Sequence, residues 1–270
     1  MTDPVKLFEE KFSEFLGSKH AVGVCNGTAA IHVGLLSLGV GVGDKVITTP
    51  FTFPSTVNMI IACGAEPIFV DIKKDTCCLD PDKIHSILEN VSGIKGIVPA
   101  HLFGNMSDMP RIMDIAVSKG LFVLEDSSQA LGAKMFDKYA GTWGDVGTFS
   151  FYPSKNFPTR GGMLVTDRDD VVDLARQVRH HGMVRGRVVR MGFNYDMPWD
   201  HAQRGEEYLQ LHKPSIFAEL GRYGLEDGYY PHVVYDEPYY KELCKNGKLF
   251  VHRCPVAESV AKKVREMGYG

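Results

Sequence analysis

The chain reads as an α/β protein: a mostly parallel sheet covered by helices on both faces, followed by a smaller C-terminal region. Three observations predict this. Short runs rich in Val, Ile and Phe alternate with helix-length stretches from about residue 20 to residue 126, as strands joined by helical crossovers do. The apolar runs end in glycine, hydroxyl, carboxamide or carboxylate residues, which puts polar chemistry at the sheet edge where such folds hold their ligands. At 270 residues and 44% hydrophobic composition, the chain can bury one large core with a smaller appendage.

Taken in order, "DPVKLFEEKFSEFLG" has apolar residues at helical spacing (Val5, Leu7, Phe8, Phe12, Phe15, Leu16) and stops at Gly17. A short strand, "AVGVC", follows. In "NGTAAIHVGLLSLG", Asn26 and Gly27 make a bend, Thr28 can cap, and a helix runs to Gly39. "GVGVGD" (39–44) lacks dinucleotide-binding glycine spacing and reads as a helix stop and turn. Then come strand "KVITT", a helix from Ser55 to Cys63, strand "EPIFVDI", a helix from Pro81 to Leu88, strand "GIVPAHL", a helix from Met109 to Ser118, and strand "LFVLED". "GTFSFYPSKN" (147–156) is a further buried strand carrying a lysine at its end. A last amphipathic helix spans Val256 to Met267.

Composition excludes several functions. With 30 basic and 33 acidic residues, formal charge −3, there is no positive field to hold a nucleic-acid backbone. No apolar stretch reaches bilayer length, and the start, "MTDPVKLFEEKF", is acidic and amphipathic, so a soluble cytoplasmic protein is expected. Six cysteines without a CxxC pair read as reduced thiols, and ten histidines without HExxH spacing give no metal site.

The strand ends supply a cofactor pocket. Backbone N–H groups of Gly27 and Thr28, at a helix start, suit a phosphate, and Ser150 adds a hydroxyl. Asp126 ends an apolar strand, where a bare carboxylate needs a cationic partner such as a protonated pyridine nitrogen. Phe53 could stack on a flat ring, and Gln129 could bond a ring-edge oxygen if a helix begins there. Lys155, desolvated, can attack an aldehyde and hold it as a Schiff base. Plainer roles exist: Asp126 as a helix N-cap, Phe53 as core, Ser150 turned away, Thr28 only capping. His101, His180 and His181 suit structural hydrogen bonding and are left out of the site.

These demands fit pyridoxal 5'-phosphate. The segments "CNGTAAIHVGLLSLGVGVGDKVITTPFTFPSTVNMI", "VPAHLFGNMSDM", "LEDSSQALGA", "GTFSFYPSKN" and "GFNYDMP" resemble, in order, the sugar aminotransferases of the DegT/DnrJ/EryC1/StrS family, with the aspartate-aminotransferase (type I) fold. The resemblance runs from residue 5 to about residue 198. It implies that Lys155 carries the cofactor, Asp126 keeps its pyridine nitrogen protonated, Gln129 sits near the ring hydroxyl, Phe53 stacks, and Gly27, Thr28 and Ser150 cradle the phosphate. It implies that Asn194 reaches the phosphate site of a second subunit, hence a homodimer. It also implies transfer of an amino group, from glutamate, to a nucleotide-linked keto-sugar, as in polysaccharide biosynthesis. Lys155 argues against the family's dehydratase branch, which carries histidine there.

Departures are equally specific. After Lys155 the chain reads "NFPTRGGM", with Pro158 and Arg160 where the family commonly has a longer Gly-rich loop and an acidic residue. Two positions after Asn194, where the family often has a basic residue, stands Asp196. The stretch "PWDHAQRGEEYLQLHKPSIFAELGRYGLEDG" does not resemble the family. Residues 1–198 are therefore expected to form the cofactor-binding domain and 199–270 a shortened small domain, without the family's usual leading segment. The alternative to an active aminotransferase is a cofactor-binding relative with reduced catalysis, regulatory or vestigial. A nicotinamide-dinucleotide enzyme is disfavoured by the missing glycine fingerprint.

Overall fold

A computed structural model describes residues 3–212, 232–247, 249 and 251–266. Helix α1 (Pro4–Leu16) starts where Asp3 accepts a hydrogen bond from the Val5 N–H at 2.9 Å and ends at Gly17, whose φ of 72° closes the helix in the left-handed conformation. Strand β1 (His20–Val24) leads into α2 (Gly27–Ser37), then β2 (Lys45–Thr48), α3 (Pro54–Ala62), β3 (Glu66–Phe69), α4 (Pro81–Asn90), β4 (Ile94–Ile97), α5 (Met109–Lys119) and β5 (Phe122–Asp126). A two-strand ribbon, β6 (Lys134–Met135) and β7 (Lys138–Tyr139), precedes β8 (Val146–Ser150) and β9 (Gly162–Thr166). Helix α6 (Asp169–Arg179), a second ribbon of β10 (Met183–Val184) and β11 (Arg187–Val188), α7 (Trp199–Leu211), α8 (Pro238–Lys245) and α9 (Pro255–Glu266) complete the elements.

Seven strands form one sheet in the order β1-β9-β8-β5-β4-β2-β3. Pairs from β8 through β5, β4 and β2 to β3 are parallel, while β9 runs antiparallel to both β8 and β1. Two reversals restore direction, so β1 points the same way as β8. The carboxyl ends of β1, β2, β4, β5 and β8 therefore open on a single edge. The crossover helices explain the parallel part, because parallel neighbours need a connection long enough to return.

Alternation along the strands sorts the core. Val46, Val98, Leu124, Val146 and Leu164 face α2 and α6, whereas Ile47, Ile97 and Val123 face α4 and α5. Phe149, Phe151 and Phe157 meet Phe8 and Phe12 of α1, with the Phe12 and Phe149 rings 5.4 Å apart. Helix α7 lies on α1 at Gly205, where a Cβ would come within 2.5 Å of the Phe8 ring, and Lys11 pairs with Glu206. The C-terminal segment packs too: Val234, Tyr235, Tyr240, Ala257 and Val260 bury against Phe51, Phe69 and Phe103.

Some boundaries differ from the sequence pattern. The strand expected over "GIVPAHL" stops at Ile97, before Pro99, and the one over "EPIFVDI" stops at Phe69. Helix α2 ends at Ser37 with Leu38 as its C-cap, two residues short of Gly39. Helix α9 ends at Glu266, and Met267, like residues 213–228 of the dissimilar stretch, lies outside the described residues.

Candidate functional site

A cavity of about 670 Å³ opens on the shared carboxyl edge, and seven of the eight sequence-predicted residues line it: Gly27, Thr28, Phe53, Asp126, Gln129, Ser150 and Lys155. They arrive from separate elements. Gly27 and Thr28 begin α2, Phe53 is the N-cap of α3, Asp126 and Ser150 end β5 and β8, and Lys155 sits in the turn beyond β8, its N–H bonded to Tyr152 O at 2.8 Å. Asn194 does not line this cavity. It forms an isolated antiparallel bridge with His180 on the connection after β11.

Burial and charge distinguish the amine and the acid. Desolvation holds the Lys155 ammonium below the ordinary lysine value, and the nearby Asp126 carboxylate pulls back part of that shift. Lowering favours the neutral, nucleophilic amine. Asp126 is 6% exposed. Its Oδ2 accepts from Thr56 Oγ1 at 2.6 Å and its Oδ1 from the Ser128 N–H at 3.2 Å. No helix follows it, so it is not an N-cap. Cys25 also borders the cavity, but burial pushes its thiol up, away from a reactive thiolate.

Local geometry decides the other plain alternatives. Phe53 is 56% exposed, a cavity wall and not core. Asn26 caps α2 by accepting from the Ala29 N–H at 2.8 Å, a role the sequence pattern offered to Thr28. The amides of Gly27 and Thr28 stand in the first turn, where helix geometry provides no intrahelical acceptor. Ser150 faces them: a Cβ on Gly27 would lie 2.6 Å from Ser150 Cβ and 3.0 Å from its Oγ. Only glycine lets helix start and strand end approach so closely. Gln129 lies in a turn rather than a helix, its Oε1 accepting from the Phe103 N–H at 3.2 Å.

A sequence profile described as the DegT/DnrJ/EryC1/StrS aminotransferase family matches residues 2–216. The chain belongs to this family. The spore coat polysaccharide biosynthesis protein SpsC of Bacillus subtilis is 42% identical over 191 residues, covering 70% of this chain and 49% of that protein. The GDP-perosamine synthase of Caulobacter vibrioides is 38% identical over 194 residues, covering 70% of this chain and 52% of that protein. The crystal structure of a DegT DnrJ EryC1 StrS aminotransferase from Brucella abortus superposes with a TM-score of 0.83 at 27% identity, covering 97% of this chain and 83% of that one. The chain spans about half the length of the curated relatives it matches. Its fold is the type I fold of these aminotransferases.

Beyond the motif residues, Thr56, His101, Arg160 and His201 are among the others that border or support the cavity in this DegT-family chain. Thr56, fully buried, holds Asp126; it lies three residues after Phe53, on the first turn of α3, a spacing that could have revealed it. His101 lines the cavity with both ring nitrogens engaged: Nδ1 accepts from the Ser107 N–H at 3.2 Å, so Nε2 carries the proton shared with Glu125 at 2.9 Å. Its place at the start of "AHLFGN" was visible, its saturation was not. Arg160 and His201 also line the cavity, and no periodicity or spacing marks them. Among the described residues no cluster of His, Cys, Asp and Glu is placed to hold a metal ion, and no helix is long and apolar enough to cross a membrane.

Proposed function

We propose that this chain binds pyridoxal 5'-phosphate and transfers an amino group from a donor, glutamate, to a nucleotide-linked keto-sugar. The observation that carries the reading is one cavity bordered by a desolvated amine, Lys155, a buried carboxylate, Asp126, and the Gly27–Thr28–Ser150 cradle. Each group suits one part of that cofactor. The α2 amides and the Ser150 hydroxyl offer donors to its phosphate. Asp126, with Thr56 and Ser128 turning its lone pairs, answers a protonated ring nitrogen. Phe53 and Gln129 line the cavity where they would hold the ring's face and edge. Bound there, the aldehyde and pyridinium would supply the carbonyl and electron sink that amino-group transfer requires.

The chain's own part is covalent capture and proton transfer at one atom, Lys155 Nζ. With the cofactor bound, the neutral amine of Lys155 would hold its aldehyde with loss of water, and as a free amine it would serve as the base that moves the proton of the donor Cα. The nucleotide-sugar substrate is supported by the named activity of the GDP-perosamine synthase relative. We also assign residues 1–198 to cofactor binding and 199–270 to a smaller unit on the substrate side. The active form is a cytoplasmic homodimer in which Asn194 reaches the second subunit's phosphate site.

Borohydride treatment of cofactor-loaded protein tests the reading. Cofactor should become fixed to the peptide containing Lys155, and Lys155→Ala should abolish the fixation. Fixation elsewhere, or unchanged in the variant, would reject it. Fixation at Lys155 with no amino transfer from any donor would assign the alternative, a cofactor-binding relative with reduced catalysis.

A further inference from the structure

Inside the cavity stands one of the residues that depart from the family pattern. After Lys155 the chain runs through Pro158 and Thr159 to Arg160, Gly161 and Gly162, and Arg160 is solvent-exposed and borders the cavity. Backbone pairing fixes where it stands. Ser150 pairs with Gly162, Phe151 donates to Gly161 O at 3.0 Å, and Arg160 donates to Phe151 O at 2.6 Å. Gly161 in turn bridges Asn26, the cap of α2. A Cβ on Gly162 would come within 2.5 Å of the Asn26 carbonyl carbon and 2.7 Å of the Gly27 nitrogen. Arg160 thus leaves the backbone within two residues of positions that pair with Ser150 and with the α2 cap.

Its conformation makes arginine a surprising occupant. The Arg160 φ is 70°, in the left-handed region that a side chain with a Cβ adopts at a cost and glycine adopts freely. Backbone geometry alone favours glycine here, so a reason for arginine must be sought in its charge. Apart from two histidines, the formally charged residues lining the cavity are Asp126, Lys155 and Arg160. Asp126 and Lys155 already act on each other. A phosphate seated on the α2 amides would otherwise meet partial charges only. Asp196, the acid two residues after Asn194, is committed to Arg179 at 3.3 Å and to His180. Arg160 has no ion-pair partner among the described carboxylates.

We propose that Arg160 is a phosphate-binding residue, its guanidinium pairing from the same chain with a phosphate held by the Gly27 and Thr28 amides and Ser150. This rests on the cofactor-site reading above. The cofactor and a nucleotide-linked substrate both carry such a group, and the chemistry of recognition is the same for either. Arginine also explains tolerance of the left-handed backbone: a planar fork reaches an anion that neither glycine nor an acidic residue could hold.

The test compares the full chain with Arg160→Gly and Arg160→Lys, titrated with pyridoxal 5'-phosphate, pyridoxal, GDP and inorganic phosphate, following binding by fluorescence and melting temperature. Arg160→Gly relieves the backbone, so it should fold at least as stably as the parent. It should lose roughly tenfold to a hundredfold in affinity for pyridoxal 5'-phosphate, the span expected of one charge-assisted pair, with pyridoxal unaffected and Arg160→Lys partly restored. Loss confined to GDP would uphold the role and assign the phosphate to the substrate. Unchanged affinity for every phosphate-bearing probe would overturn it, as would equal weakening of pyridoxal and its phosphate. If the parent takes up neither pyridoxal form, the cofactor reading falls. Stabilisation of the parent but not Arg160→Gly by inorganic phosphate would then still uphold Arg160, and its absence would sink it.

Discussion

At the scale of single residues, Lys155 is the group whose surroundings oppose its ordinary state. Burial disfavours the ammonium more than Asp126 favours it, so its folded value is depressed. In the unfolded chain the same amine titrates near the ordinary lysine value, about 10.4. Between the depressed folded value and that point, the unfolded state binds more protons, so stability contributed at this position rises with pH; below the folded value the penalty is present in full. Lys155→Met keeps the length and apolar stem without the titrating nitrogen. Urea unfolding of both proteins from pH 7 to pH 10 should show the parent gaining on the variant as pH climbs. A difference independent of pH would mean that the amine stays in water. Thr56 and Ser128 hold both oxygens of the neighbouring acid in place.

At the scale of elements, β5 delivers two adjacent carboxylates to opposite sides of the sheet, as strand alternation requires. Asp126 goes to the cavity. Glu125, fully buried, accepts from the amides of Gly141 at 2.9 Å, Trp143 at 2.6 Å and Gly144 at 2.8 Å and pairs with His101. It ties the loop before β8 to the strand and orients an imidazole in the cavity wall. Glu125→Gln would turn one acceptor oxygen into a donor facing an amide N–H or the His101 ring, and His101 cannot reverse its tautomer without setting Nδ1–H against the Ser107 N–H. The expected loss is about 3 kcal/mol of unfolding free energy, read by urea denaturation. The sequence could not disclose this clamp, since its partners are main-chain amides of a loop sixteen to nineteen residues on. It did disclose the helices, because stop signals and apolar periodicity are local: Gly17 and Pro81 lie where the pattern put them. Strand ends were less legible, because pairing ends where a neighbour ends. Ile94, two residues ahead of the expected start at Gly96, has its partner in Lys45 of β2, while Ile97 is the last paired residue before Pro99.

At the scale of the whole molecule, the convergence of Gly27, Phe53, Asp126, Ser150 and Lys155 could be read from the alternation of strands and helices, which forces parallel strand ends onto one edge. What joins the C-terminal elements to that body could not, because it depends on contacts across nearly two hundred residues. Asp71, just beyond β3, accepts from the Val256 and Ala257 amides, each at 2.9 Å, and so caps the start of α9. Beside it, Tyr235, Ala257 and Val260 bury against Phe69. The cap satisfies two first-turn donors and sets a carboxylate at the positive end of the helix dipole. Apolar contact alone would hold α9 on the sheet without fixing its rotation or entry. Asp71→Ala should therefore cost about 1–2 kcal/mol, and the loss should be uneven. Hydrogen exchange should quicken in residues 255–266, while β5 and β8, remote from the cap, keep their protection. Uniform loss across the sheet would show instead that α9 and the sheet unfold as one cooperative unit.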